Sequence, residues 1–126
     1  MAQCIDEKVL LDWGARIGAA AKSEGVKVSQ LENLLASLDS FSDDKASLLG
    51  TAAFALRQAE RLRSGRKMAK LVGKAMIELC EKGCGKNEAR KILGFAKWVY
   101  EALGFHKVRD FENLTLEKLL DILLSS

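Results

Sequence analysis

Residues 57–74, RQAERLRSGRKMAKLVGK, hold Arg57, Arg61, Arg63, Arg66, Lys67, Lys70 and Lys74 against a single acid, Glu60. The segment carries +6 in a chain whose formal total is +3. Like charges this close repel one another unless an anion answers them, so the chemistry on offer is the holding of phosphate or of an acidic protein surface. Each phosphate neutralised would release counterions, and binding would weaken steeply with salt. Nothing in the pattern promises contacts to base edges, so recognition of a nucleic-acid backbone is the expectation. The competing account is a solvated face that keeps the protein soluble. On that account Lys74 has Glu78 one turn later and part of the charge goes into a weak surface pair. The asymmetry extends further along the chain. Between Arg57 and Lys97 twelve basic residues stand against four acidic ones, a balance of +8, while the remainder holds eight against thirteen, a balance of −5. A basic surface with acidic ends follows, and those ends could meet basic regions of neighbouring copies.

A second candidate lies in the segment KNEARKILGFAKWVYEAL. Ala89, Ile92, Leu93, Ala96, Val99, Tyr100 and Leu103 form a core stripe, and Phe95 and Trp98 sit off it near Lys91, with Arg90, Gly94 and Lys97 further round. An aromatic pair beside cations can stack on unpaired bases while the cations hold the backbone, which makes Arg90, Lys91 and Trp98 candidate nucleic-acid contacts. Two other accounts stand beside it: a central helix packed on both sides would bury Phe95 and Trp98, or the pair could fill a partner protein's groove.

Metal and catalytic chemistry find less to work with. Cys4, Cys80, Cys84 and His106 are the right number of ligands for zinc, but the paired C-x2-C knuckles typical of such sites are missing. Ordinary reduced cysteines and no bound metal are the expectation. One histidine, scattered acids and no phosphate-cradling glycine loop leave no recognisable nucleophile, base or nucleotide site, so neither an enzyme nor a cofactor is expected. Asp43 and Asp44 could take a hard cation, but a place at the positive end of a helix explains them more simply.

These residues must be positioned by helices. The chain of 126 residues is 48% hydrophobic and has no proline, which fits one helical domain, 1–126, with an ordinary core. Its three cysteines, with no secretory signal, lead to the expectation of a reduced, cytoplasmic setting. No apolar run reaches the ~20 residues needed to span a bilayer, so no membrane partner is expected. Periodicity predicts a first helix over 6–23, with Val9, Leu10, Trp13, Ile17, Ala20 and Ala21 on one face. Gly14 and Gly18, four apart, would let a neighbouring helix approach closely. Ser29 and Glu32 have the capping-box spacing for a short second helix to about Leu38. A third helix after Asp43-Asp44 runs to Arg63 and breaks at Ser64-Gly65. The fourth, 67–82, sets Met68, Leu71, Val72, Ala75, Met76 and Leu79 opposite Lys67, Lys70 and Lys74. Asn87 is the candidate cap of the fifth, which stops at Gly104, and Thr115 opens a last helix with Leu116, Leu119, Leu120 and Leu123 on one face. The predicted fold is all-α, a compact bundle of five or six helices.

Residues from about Lys67 to Leu103 resemble the helical small subunits of multi-protein CRISPR effector complexes, particularly the type III-A small subunit. The likeness rests on an amphipathic basic helix, KMAKLVGKAMIELCEKG, then a polar break and KNEARKILGFAKWVY, with Arg90, the Ile92-Leu93 pair and a Tyr100 end. Asn87-Glu88-Ala89 stands where that family has a Thr/Ser-rich element. The resemblance implies a non-catalytic subunit of an antiviral ribonucleoprotein that contacts guide or target RNA backbone through Arg90 and the lysines of the fourth helix. Small subunits of type III-B and type I-A complexes are equally compatible with an all-helical basic chain. Taken together, the expected partners are single-stranded RNA or DNA, other subunits of a complex and further copies of the chain. The alternative is a helical protein-interaction adaptor without nucleic acid, docking a partner through the leucine-rich last helix or the Phe95/Trp98 patch.

Overall fold

Residues 4–125 are described by a computed structural model, and they contain six helices and no strand: α1 (Glu7–Ser23), α2 (Val28–Leu38), α3 (Asp44–Leu62), α4 (Arg66–Glu81), α5 (Lys86–Leu103) and α6 (Leu116–Ser125). The helical reading holds throughout, because each segment repeats apolar residues at helical spacing and no proline interrupts any of them. None of these helices is long and apolar enough to cross a membrane.

The first five helices close a ring in which α1 packs on α5, α5 on α2, α2 on α3, α3 on α4 and α4 back on α1, while α6 lies against α1. Leu10, Ile17, Leu31, Leu34, Leu48, Met76, Leu79, Ile92, Leu93, Leu103 and Leu119 are fully buried, and all six helices contribute to one core cluster. Each such side chain contributes roughly 1.5–3 kcal/mol relative to exposure.

The closest pairing is α1 on α5, and Gly14 and Gly18 are its cause. A Cβ on Gly14 would stand 2.6 Å from Phe95 Cβ, and one on Gly18 would stand 2.5 Å from the carbonyl oxygen of Ala96. The expected close helix approach is present.

Helix ends follow the sequence in part. Asp43 caps α3 by accepting from the Ala46 amide at 2.8 Å, and Gly104 ends α5. The Ser29 capping box does not form: α2 starts at Val28 with Lys27 as its cap residue, so Ser29 lies inside the first turn, and Glu32 instead pairs with Lys97 of α5 at 3.2 Å. Nor does Asn87 cap α5. The cap residue is Gly85, whose amide donates to the Glu88 carboxylate at 2.8 Å, and Asp44 accepts from the Lys86 amide at 3.3 Å.

The cysteines differ most from expectation. Cys4 and Cys84 are joined as a disulfide with their Cα atoms 5.6 Å apart, tying the start of the described chain to the α4–α5 turn. Cys80 alone is a free thiol among the described cysteines. Two residues 80 positions apart in sequence meet only because α1 and α4 are ring neighbours, which no spacing rule reports. The four-ligand zinc set is not assembled either, since neither Cys80 nor His106 joins the cluster of Cys4, Cys84 and Glu88.

Candidate nucleic-acid interface

Basic residues of 57–74 leave one helix and enter the next through a tight corner. Arg63 takes the left-handed conformation at φ 53°, ψ 38°, and Gly65 follows at φ 80°. The new helix begins with unpaired amides, and a distant acid answers them. The carboxylate of Glu24, just past α1, accepts from the Met68 amide at 2.7 Å and the Lys67 amide at 3.2 Å. An acid near the positive end of a helix is stabilising. Here Glu24 is engaged by backbone, and it forms no ion pair with a lysine ammonium among the described residues.

Lys67, Lys70 and Lys74 lie on the outer side of α4, all exposed. With Trp13, Leu71, Glu112 and Asn113 they line a groove of about 300 Å³. None of the three forms an ion pair among the described residues. Lys67 sits 5.9 Å from the centroid of Phe111, within cation–π reach. The Lys74–Glu78 pair of the competing account is absent among the described residues, and Glu78 accepts the indole N–H of Trp13. A buried or half-buried indole N–H needs such a partner.

The other wall of the groove is the stretch between α5 and α6. Val108, Phe111 and Leu114 anchor it in the core. Arg16 of α1 donates to the Leu114 carbonyl at 2.8 Å, and Asp12 accepts from the Leu116 amide at 3.0 Å. These contacts hold Glu112 and Asn113 opposite the lysines. The residues lining the groove thus carry three ammonium groups and one carboxylate, with the Glu78 carboxylate adjacent on the Trp13 indole.

The remaining sequence candidates are exposed but dispersed. Arg66 pairs with Glu60 at 3.2 Å, both side chains largely in solvent, a contact of about 0–1 kcal/mol. Arg63 lies beside them at the corner, near Glu24 and Ser64. Arg57 and Arg61 have no ion pair among the described residues. They fall on another flank of α3: Gly50 and Phe54 each precede one of them by seven residues, or two turns, and Gly50 abuts Phe41 of the α2–α3 loop. Glu60, by contrast, faces the start of α4. The seven cations therefore do not form one stripe; α3 carries two on its exposed side, and α4 presents three towards Trp13 of α1.

Helix α5 separates its candidates as well. Arg90 bonds Asp39 at the end of α2, whereas Lys91 is exposed and unpaired among the described residues. Trp98 is 69% exposed, which overturns the account that would bury it, and it meets the half-buried Phe95 edge-on with centroids 5.6 Å apart. It lines an uncharged groove of about 270 Å³ with Leu11, Phe95, Val99, Leu116 and Leu120, between α1, α5 and α6. The aromatic that stands among the lysines is Trp13. Sequence reasoning placed Trp13 on the core face of the first helix, and only its need for an N–H partner marked it as a boundary residue.

No protein-family model matches the chain, and comparison with curated proteins and with solved structures gives no match.

Proposed function

We propose that the chain is a non-catalytic nucleic-acid-binding subunit of a larger ribonucleoprotein assembly, gripping RNA or DNA backbone at the α4 groove. The observation that carries this reading is the set of three ammonium groups, Lys67, Lys70 and Lys74, gathered in one concavity without an ion pair. A phosphate backbone supplies the missing counter-charge, and its binding releases condensed ions. Arg63 and Arg66 at the start of α4 extend the field, with Lys91, Arg57 and Arg61 at more distant points of the surface. The resemblance of residues 67–103 to small subunits of CRISPR effector complexes supports the assembly half of the reading.

The test is anisotropy of a labelled single-stranded oligonucleotide at two salt concentrations, with wild type and with Lys67→Glu/Lys70→Glu/Lys74→Glu. Salt-sensitive binding lost in the variant is expected. Equal affinity of the two proteins would remove these residues from the reading.

A second reading has its own observation, the uncharged groove beside Trp98. It supports an adaptor that docks a partner helix through α5 and α6. Truncation before Thr115 separates the two: loss of a protein partner with unchanged nucleic-acid binding favours the adaptor.

A further inference from the structure

Resting on the nucleic-acid reading and narrowing its ligand, we infer that the α4 groove takes an unpaired nucleotide of a single strand, with its base against Trp13 and its phosphates on Lys67, Lys70 and Lys74. Among the described residues Trp13 is the one aromatic that lines that groove, while Phe111 lies 5.9 Å from the Lys67 ammonium. Its indole N–H is already held by Glu78, and the guanidinium of Arg16 lies 5.1 Å from its ring centroid. Arg16 is in turn fixed to the Leu114 carbonyl. The ring is therefore oriented before any ligand arrives, and its donor is not free to read a base edge. The ring is half-buried against the core with Arg16 over it, so what it offers a base is the part that lines the groove, and stacking there is tolerant of sequence.

Size and chemistry select the single strand. The groove of about 300 Å³ is at the low end of small-ligand sites, which run from roughly 300 to 1,000 Å³. That admits one nucleotide unit and not the width of a duplex, whose bases are stacked on each other and present only edges. Leu71 beside Trp13 continues the apolar surface, and the three lysines rim it. Trp98 has the greater exposure but the wrong surroundings, because no charged residue lines its groove.

The two tryptophans of the chain make the assignment measurable. In Trp98→Phe the emission comes from native Trp13 alone, so the site is observed without being altered. Titration with a short oligothymidylate should quench that emission and match the wild-type affinity, while a blunt duplex of equal length should leave it unchanged. The wild-type signal minus that of Trp98→Phe reports Trp98 and needs no folded Trp13 variant. Oligothymidylate binding that quenches Trp98 alone, or neither residue, overturns the assignment to Trp13 but leaves backbone binding standing. Equal quenching by the duplex overturns single-strand selection. Absence of any oligonucleotide binding by the wild-type chain overturns the parent reading and this one with it.

Discussion

Alanine at Gly18 should destabilise the protein by about 1–3 kcal/mol, the usual range for overpacking a tight contact. Alanine at Gly73 or Gly94 should stabilise it by about 0.5–1 kcal/mol. The opposite signs come from what each new methyl group would meet. At Gly18 it would stand 2.5 Å from the Ala96 carbonyl oxygen and 2.9 Å from Val99 Cβ and Cγ1. A carbonyl inside a helix cannot rotate away, so α1 and α5 must separate along their shared length. That loss outweighs the ~1 kcal/mol that alanine gains over glycine in a helix. At Gly73 in α4 and Gly94 in α5 the new methyl would meet nothing within 4 Å beyond its own stretch of helix, so only the propensity gain remains. Urea melts of the three variants measure the difference, with the midpoint moving and the slope unchanged. In a thermal melt the corresponding shifts are about 4 °C per kcal/mol for a domain of this size. A Gly18→Ala protein as stable as wild type would refute the close α1–α5 contact, and with it the account of how α1 holds Trp13 at the groove.

Three further outcomes follow from the structure. Lys67→Gln/Lys70→Gln/Lys74→Gln should flatten the plot of log affinity against log salt for a single strand by about 2, at ~0.7 per phosphate contact; an unchanged slope would show that these lysines meet no phosphate. Asp43→Ala should cost about 1 kcal/mol by removing the α3 cap, whereas Ser29→Ala, inside the first turn of α2, should move the urea midpoint little; reversed effects would restore the capping box at Ser29. Thiol labelling of the unfolded, unreduced chain should count one reactive cysteine, Cys80, and three after reduction. Cys4→Ser should then lower stability by at most about 4–5 kcal/mol, the chain-entropy limit for so long a loop; three thiols before reduction would show that the Cys4–Cys84 bond does not form.

Local features proved legible where one stretch of chain holds all the parts. The apolar repeats located six helices to within a residue or two, Gly104 and Ser64-Gly65 marked real ends, and Asp43 caps the helix it precedes. Ser29 and Asn87 had equally good local patterns and failed as caps. Other groups took over: Glu32 was drawn across to Lys97, and Glu88 took the amide at Gly85. Local spacing cannot rank such competitors, because they come from elsewhere in the chain or from the next turn.

The candidate site divides in the same way. That Lys67, Lys70 and Lys74 share one solvent-facing side of a helix is a consequence of 3.6 residues per turn, and the sequence contained it. Which acids reach those cations, and which aromatic stands beside them, depends on how the helices close their ring. Packing assigned Glu24 to the α4 amides and Glu78 to the Trp13 indole, leaving the three ammonium groups without a carboxylate partner. It also left Arg57 and Arg61 exposed on α3, away from the groove, and set Trp98 in a groove with no charged residue, while bringing Trp13 from more than fifty positions away to the lysines. Helix periodicity is a property of neighbours along the chain, so residue order alone determined the helices and their charged faces. The pairing of those faces rests on which apolar stripes bury one another, and tertiary structure alone decided it.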